Sequence, residues 1–278
     1  MHIKNRLLIL SLLMSLAAAC AAAQAAEAPA DQPLPRSDAN SLKAHEQFMA
    51  KRTEGKIDLY FLGDSITRRW GTSDAAYADL LSNWNKNFKG WNAADFGWGA
   101  DKTQNILWRL QQGELDGVNP KVIVLMAGTN NIGNQSPRGD AKSRAAETVR
   151  GVAAIVKQLR ERAPHASIIL MGITPRNDNI DVMPIVNIAD IGLEQLADGK
   201  KIRYLNINRQ LADERGVLYP GMTKDGLHPT AKGYQVWADA LTPILRKLLG
   251  PKSAHDRAPP PSADPSATRP PASEPAAR

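Results

Sequence analysis

Five short apolar segments recur along the chain, and each is followed by a polar stretch. They cover residues 57–62, 93–96, 122–126, 167–171 and 202–207. The third and fourth are apolar almost without interruption, which is typical of parallel strands that are covered on both faces. The pattern therefore predicts five β-strands, of which the central ones are buried on both sides.

Between these segments, apolar residues recur every three or four positions, as expected of helices with one apolar face. One such series comprises Val149, Val152, Val156 and Leu159. A second runs from residue 234 to residue 248. The alternation of strand and helix predicts an α/β protein, a three-layer α/β/α sandwich around a mostly parallel five-stranded sheet.

The two ends of the chain differ in composition from its middle. Residues 1–25 predict an export signal, with Lys4 and Arg6, an apolar run over 7–16 and the cleavage motif Ala23-Gln24-Ala25. Residues 26–39 predict a linker, and residues 250–278, rich in proline and alanine, predict a disordered tail. One domain over residues 40–249 remains.

Cys20 is the only cysteine, so no intrachain disulfide can form. It follows Leu16 and three alanines, a pattern similar to a bacterial lipoprotein box with the leucine one place further away. Two predictions stay open: a periplasmic or secreted protein released by simple cleavage, or a lipoprotein anchored to a membrane through Cys20. No later segment approaches the ~20 consecutive apolar residues of a membrane-spanning helix.

The formal net charge is +7, and it falls to +5 when Lys4 and Arg6 are removed with the signal. The positive residues are scattered along the chain, which argues against nucleic-acid binding. The spacing of histidine and cysteine does not match a metal site, and the chain has neither a Walker phosphate loop nor a complete G-x-G-x-x-G motif. We therefore expect no metal and no nucleotide cofactor.

Three polar clusters come directly after predicted strands, and a fourth precedes the last helix. They are Gly63-Asp64-Ser65, residues 97–101, Gly128-Thr129-Asn130-Asn131 and residues 225–229. Loops after parallel strands emerge at the same edge of the sheet, so the first three are expected to meet there. Each cluster alone is more often a simple turn. Together, a serine, an Asp/His pair and hydrogen-bond donors are the components of acyl-transfer catalysis.

On these motifs the chain resembles an SGNH hydrolase of the GDSL esterase/lipase superfamily. Specifically, it resembles the branch that includes the platelet-activating-factor acetylhydrolase catalytic subunits. The resemblance also includes the stretch from Phe96 through Trp108-Arg109-Leu110, and it covers essentially the whole domain. It implies a flavodoxin-like sandwich and the metal-free hydrolysis of esters, whereas the G-x-S-x-G motif of α/β-hydrolases is missing.

The resemblance implies a role for each residue that matches a motif. Ser65 is then the nucleophile, His228 the general base and later the acid, and Asp225 the group that orients the imidazole. Pro229 disfavours helix at His228, so the histidine is expected on an extended loop close to the aspartate.

The resemblance also implies three donors for the oxyanion of the tetrahedral intermediate. They map to the backbone N–H groups of Ser65 and Ala100 and to the side-chain amide of Asn130. The family usually has glycine where this chain has Ala100. If the loop requires a positive φ there, the alanine Cβ adds roughly 1 kcal/mol of strain.

Asp64, Trp70 and Trp98 lie beside the predicted nucleophile and are further candidates for substrate binding. Asp64 is expected to fix the turn after the first strand by accepting backbone hydrogen bonds. For the two tryptophans, packing within the domain and lining a substrate cleft are equally good interpretations.

The sequence thus predicts an exported esterase for short-chain, chiefly acetyl, esters on small molecules or carbohydrates. One alternative is a lipid acyl hydrolase of the lysophospholipase or thioesterase type. Another is a non-catalytic carbohydrate- or envelope-binding protein on the same scaffold. The acylated molecule and the oligomeric state stay open.

Overall fold

The computed structural model describes residues 28–134 and 140–267. Its five strands form one parallel sheet, and their bounds are β1 (Leu59–Gly63), β2 (Ala93–Gly97), β3 (Val122–Met126), β4 (Ser167–Met171) and β5 (Ile202–Leu205). Their order across the sheet is β2-β1-β3-β4-β5, which is the flavodoxin-like order. The predicted parallel five-stranded sheet is therefore confirmed.

Helices cover both faces of this sheet. In chain order they are α1 (Ala39–Lys51), α2 (Ser65–Gly71), α3 (Ala78–Phe88), α4 (Thr103–Gln111), α5 (Thr129–Ile132), α6 (Ala141–Arg162), α7 (Met183–Glu194), α8 (Asn208–Leu211) and α9 (Ala231–Leu249). Both helices predicted from apolar spacing are present as α6 and α9.

Alternate residues of each strand supply two separate apolar layers, because successive side chains point to opposite faces of a sheet. On one face, Tyr60 and Leu62 pack with α1, α4, α6 and α7. On the other face, Leu59 and Phe61 pack with α2, α3 and α9. The predicted three-layer α/β/α sandwich is confirmed.

The register of the sheet brings the polar loops together. Gly63 at the end of β1 pairs with Gly97 at the end of β2 and with Met126 at the end of β3. A Cβ on Gly63 would lie 2.5 Å from the Met126 carbonyl oxygen, so only glycine fits this close approach. The loops after β1, β2 and β3 therefore begin side by side.

Residues 28–38, predicted as part of a linker, are packed against the domain. Ala30 is buried, and its carbonyl accepts a hydrogen bond from the Thr103 hydroxyl at 2.7 Å. The Leu34 N–H donates to the Gln104 carbonyl at 3.0 Å. The linker prediction does not hold for these residues, because hydrogen bonds to α4 compensate for their low apolar content.

Residues 251–267, predicted as part of a disordered tail, form an extended strap along the same domain. The Ser253 N–H donates to the Gly90 carbonyl at 2.8 Å, and the Ser73 N–H donates to the Ser262 carbonyl at 3.1 Å. Pro259 is buried between these anchor points. Composition is a poor guide here, since the strap is held by backbone hydrogen bonds to surface loops and needs little apolar area of its own.

Within the described ranges, no helix combines the length and the apolarity that are needed to cross a bilayer. The predicted export signal, the cleavage motif and Cys20 lie outside the described residues, and so do residues 268–278.

Candidate active site

Ser65 is the first residue of α2, and only Asp64 separates it from the end of β1. Asp64 is the N-cap of this helix, and its carboxylate accepts the Ile66 N–H at 2.9 Å. A short side chain with a hydrogen-bond acceptor is what an N-cap requires. The sharp change from strand to helix leaves Ser65 half-buried at the carboxyl edge of the sheet.

His228 and Asp225 share one tight loop before α9. The Asp225 carboxylate accepts the backbone N–H of His228 at 2.8 Å and that of Leu227 at 3.1 Å, and it contacts His228 Nδ1 at 2.7 Å. Gly226 has a φ of +81°, and a Cβ there would lie 2.5 Å from the Asp178 backbone nitrogen. The loop can therefore close only with glycine at this position.

The two halves of the candidate site meet although they are 163 residues apart in the sequence. Ser65 Oγ lies 2.9 Å from Nε2 of His228. The His228 side chain is only 12% exposed, whereas Asp225 is 44% exposed. This contact is within the range in which a base takes a proton from a hydroxyl.

The electrostatics of the loop keep the aspartate ionised and the histidine neutral. Burial raises the pKa of Asp225, but the hydrogen bonds from His228 and Leu227 outweigh it and lower the pKa to about 2. Burial lowers the pKa of His228 below its ordinary value, against the hydrogen bond to Asp225, which raises it. Arg69 contacts the Asp225 carboxylate at 3.4 Å and further lowers the His228 pKa.

The loops after β2 and β3 are joined by the amide of Asn130. Its Nδ2 donates to the Asp101 carbonyl at 2.9 Å, beside Ala100. Ala100 is exposed and has a φ of +60°. The positive φ anticipated for this position is present, so its Cβ carries strain of about 1 kcal/mol.

All three residues named as substrate-binding candidates are buried. Trp70 is 0% exposed and stacks on Tyr234, with ring centroids 4.7 Å apart. Trp98 is 7% exposed, and its Nε1 donates to the Ser41 hydroxyl at 2.7 Å. Asp64 is 0% exposed, and burial raises its pKa to about 7. The packing interpretation is correct for both tryptophans, because the apolar layers on the two faces of the sheet enclose them.

One polar cluster near the site was missed, namely the one that follows β4. Arg176 is buried and donates to the Thr129 carbonyl at 3.0 Å and to Asp178 at 2.8 Å. The Asn177 N–H donates to the Gly226 carbonyl at 2.6 Å, and so connects this cluster to the histidine loop. The sequence could have indicated this cluster, because it follows a predicted parallel strand and so lies at the same edge of the sheet as the other polar clusters.

The described residues contain no group of three or more histidine, cysteine, aspartate or glutamate side chains that could hold a metal ion.

Comparison with known proteins identifies the class to which this fold belongs. A family model described as "GDSL-like Lipase/Acylhydrolase family" matches residues 61–236. Platelet-activating factor acetylhydrolase IB subunit alpha1 of Bos taurus is 28% identical over 243 residues, which cover 85% of this chain and 97% of the relative.

Solved structures show the same architecture. A putative acylhydrolase from Bacteroides fragilis matches with a TM-score of 0.59 at 21% identity, covering 77% of this chain and 100% of the other. An acetyl-xylooligosaccharide esterase from Geobacillus Stearmophilus matches with a TM-score of 0.51 at 17% identity, covering 70% and 95%.

The fold and these matches define an ester hydrolase of the SGNH type. The chain belongs to the GDSL-like lipase/acylhydrolase family, whose model spans well over half of its length.

Proposed function

We propose that this protein is an exported serine esterase that removes short acyl groups, acetyl above all, from ester substrates. The observation that carries the proposal is the 2.9 Å contact between Ser65 Oγ and His228 Nε2. The other imidazole nitrogen contacts Asp225 at 2.7 Å. A hydroxyl, a neutral base and an ionised carboxylate in this order form the proton path of a serine hydrolase.

In the proposed mechanism, Ser65 Oγ attacks the ester carbonyl carbon while its proton passes to Nε2 of His228. The imidazolium then gives this proton to the leaving alcohol as the C–O bond breaks, and an acyl-enzyme remains. Water attacks the acyl-enzyme with His228 as base again, and the carboxylic acid and free Ser65 are released. Asp225, ionised because its pKa is about 2, stabilises the imidazolium in both halves.

The negative charge that develops on the carbonyl oxygen requires donors that are already in position. In the proposed site these are the backbone N–H groups of Ser65 and Ala100 and the amide of Asn130. The hydrogen bond from Asn130 to the Asp101 carbonyl supports this assignment, because it joins the loop that carries the Asn130 amide to the loop that carries the Ala100 N–H.

The names of the relatives support an acetyl group. The bovine relative is called an acetylhydrolase, and the structural neighbour is called an acetyl-xylooligosaccharide esterase. The proposal specifies the acyl group and not the alcohol. Trp70 and Trp98, which were candidates for lining a substrate cleft, are buried and supply no surface for a sugar ring.

Acyl-chain length tests this specificity. We expect kcat/KM to fall about 10-fold or more from p-nitrophenyl acetate to p-nitrophenyl octanoate, because a site shaped for acetyl has no room for the additional methylenes. The rates are measured with purified protein, and the same substrates are given to Ser65→Ala as a background control. A preference for octanoate would favour the lipid acyl hydrolase, and absence of turnover on every ester would favour the non-catalytic binding protein.

The pH profile tests the role of His228. A histidine base works only when neutral, and burial lowers the His228 pKa below the ordinary value of 6.5. We therefore expect kcat/KM to rise as pH increases through a midpoint below 6.5 and then to level off. The measurement is kcat/KM from about pH 4 to about pH 8.

Two variants test this interpretation of the profile, one that should shift it and one that should not. Asp225→Asn removes the carboxylate charge that raises the His228 pKa and weakens the hydrogen bond that does the same, so it should move the midpoint to lower pH. His165→Ala removes an exposed histidine away from the site and should leave the profile unchanged. A flat profile, or a midpoint above neutrality, would contradict the role of His228.

Export is proposed on the sequence of residues 1–25. Mass spectrometry of the mature amino terminus distinguishes cleavage near Ala25 from a lipid on Cys20, since the two products differ in their first residue and in mass.

A further inference from the structure

The loop after β2 makes a tight turn over residues 98–101. The Asp101 N–H donates to the Trp98 carbonyl at 3.3 Å, and Ala100, the third residue of the turn, has a φ of +60°. Gly99, the second residue, is not in the positive-φ region. A turn whose third residue alone has a positive φ is of type II.

A type II turn competes with a type I turn that differs mainly in the orientation of the central peptide. Here that peptide joins Gly99 to Ala100. Rotating it gives Ala100 a negative φ, which alanine prefers and to which glycine is nearly indifferent. Because C=O and N–H of a trans peptide point in opposite directions, the same rotation would also turn the Ala100 N–H away.

The Ala100 N–H is free in the type II turn. Among the residues that the structure describes, no protein atom accepts a hydrogen bond from it. Ala100 itself is exposed. Its N–H is therefore available to a substrate oxygen, provided that the peptide stays in this orientation.

Arg36 holds the opposite end of this peptide. Its Nη1 donates to the Gly99 carbonyl at 2.8 Å and lies 3.5 Å from the Asp101 carboxylate. Nη2 of the same guanidinium pairs with Asp38 at 3.0 Å. Nη2 is thus held by a residue of the same segment, while Nη1 donates to the Gly99 carbonyl.

The segment that carries Arg36 is itself attached to the domain next to this turn. The Leu34 N–H donates to the Gln104 carbonyl, and the Leu34 carbonyl accepts the side-chain amide of Asn105 at 2.9 Å. Both partners belong to α4, which begins two residues after the turn. The position of the guanidinium is therefore defined relative to the peptide that it holds.

We propose that Arg36 is a positioning residue, whose hydrogen bond to the Gly99 carbonyl keeps the Gly99–Ala100 peptide in the type II orientation. It thereby directs the Ala100 N–H to the oxyanion. The hydrogen bonds of Arg36 go to Asp38, Gly99 and Asp101 and not to Ser65 or His228. The inference rests on the proposed function, because it assigns a support to one of the three donors named there.

The first test is Arg36→Ala, with kcat and KM measured on p-nitrophenyl acetate. We expect kcat to fall about 10- to 100-fold, somewhat less than for complete loss of an oxyanion donor, because part of the population retains the type II turn. KM should stay within about 2-fold, since the donor acts mainly on the transition state. A kcat within about 2-fold of the wild type would overturn the inference.

The matched control is Arg150→Ala. Arg150 also pairs with the amino-terminal segment, through Asp31 at 3.4 Å, but it does not contact the turn. We expect this variant to keep the wild-type kcat. A loss equal to that of Arg36→Ala would assign the effect to docking of the segment in general and would overturn the role of the turn.

A second substitution separates positioning from mere structural support. Glycine at position 100 accepts a positive φ without strain, so Ala100→Gly in the Arg36→Ala background should restore the type II turn and raise kcat about 5-fold or more. Because glycine also relieves the strain at position 100, thermal unfolding is measured alongside, and a gain in kcat that only follows a gain in stability would contradict the inference. A double variant with the same kcat as Arg36→Ala would contradict the inference.

Ser65→Ala, measured in the same series, keeps the two proposals apart. Turnover that persists in Ser65→Ala would contradict the proposed function itself. Turnover that is lost in Ser65→Ala but retained in full by Arg36→Ala would contradict only the role of Arg36.

Discussion

Replacing Ser65 by alanine is expected to lower kcat by about 10⁴-fold or more on any ester that the protein hydrolyses. The substitution removes the oxygen that lies 2.9 Å from His228 Nε2 and that would form the acyl-enzyme. KM should change little, because the hydroxyl contributes to bond formation and not to ground-state binding. The measurement is steady-state turnover of p-nitrophenyl acetate.

Ser73→Ala is the matched control for this variant. Ser73 lies near the same helix, but it is exposed, and its hydroxyl donates a long hydrogen bond of 3.4 Å to the Pro261 carbonyl. It should keep the wild-type kcat. Thermal unfolding of both variants should stay close to that of the wild type, since Ser65 is half-buried and water can replace its hydroxyl. Residual activity of Ser65→Ala within about 10-fold of the wild type would remove Ser65 as nucleophile.

Replacing Asn130 by alanine is expected to lower kcat about 10²–10³-fold, the usual result of losing one oxyanion donor. Two effects contribute. The side-chain amide is lost, and so is its 2.9 Å hydrogen bond to the Asp101 carbonyl, which joins the loops after β2 and β3. The folded protein should remain stable, because Asn130 is only half-buried. Turnover and thermal unfolding are measured together.

The neighbouring Asn131 provides the control, since it has the same side chain and a different environment. Its side-chain oxygen Oδ1 accepts the Thr103 backbone N–H at 3.0 Å, and its Nδ2 donates to the side-chain oxygen of Gln104 at 2.9 Å. Asn131→Ala leaves a donor at the start of α4 without its partner, so it should lower the free energy of unfolding by about 1–3 kcal/mol. We expect its kcat to fall much less than that of Asn130→Ala. Equal losses of kcat would show that Asn130 acts through loop structure and not as a donor.

Much of the fold was predictable, because its signals are local. The strands were located to within a few residues, since their apolar runs are short and bounded by polar clusters; β1 begins at Leu59 and not at residue 57. Parallel pairing followed from continuous apolarity in β3 and β4. Strand order was implied by the resemblance and not by any local pattern.

The candidate site was predictable in part. Ser65, His228 and Asp225 are close together as the motifs implied, and Ala100 has the positive φ that its place in the loop requires. The cluster after β4 was missed. Arg176 and Asn177 resemble ordinary loop residues until the fold places them against the Gly226 loop.

The two flanking segments were predicted wrongly over residues 28–38 and 251–267, and for one shared reason. Composition measures how much apolar area a segment could bury, whereas these segments are held largely by hydrogen bonds to loops that are distant in the sequence. Arg36 was therefore assigned to a linker, although it lies on the turn that carries Ala100.

The amino-acid sequence by itself determined which chemical groups are present, the strand–helix alternation and the edge of the sheet at which the polar loops emerge. These properties depend on periodicity and on residues that are neighbours in the chain. Only the tertiary structure decided that Trp70 and Trp98 are enclosed, that both flanking segments pack on the domain and that Arg36 contacts the Gly99 carbonyl. Burial and hydrogen bonding of this kind depend on which distant surfaces meet, and no local pattern encodes that.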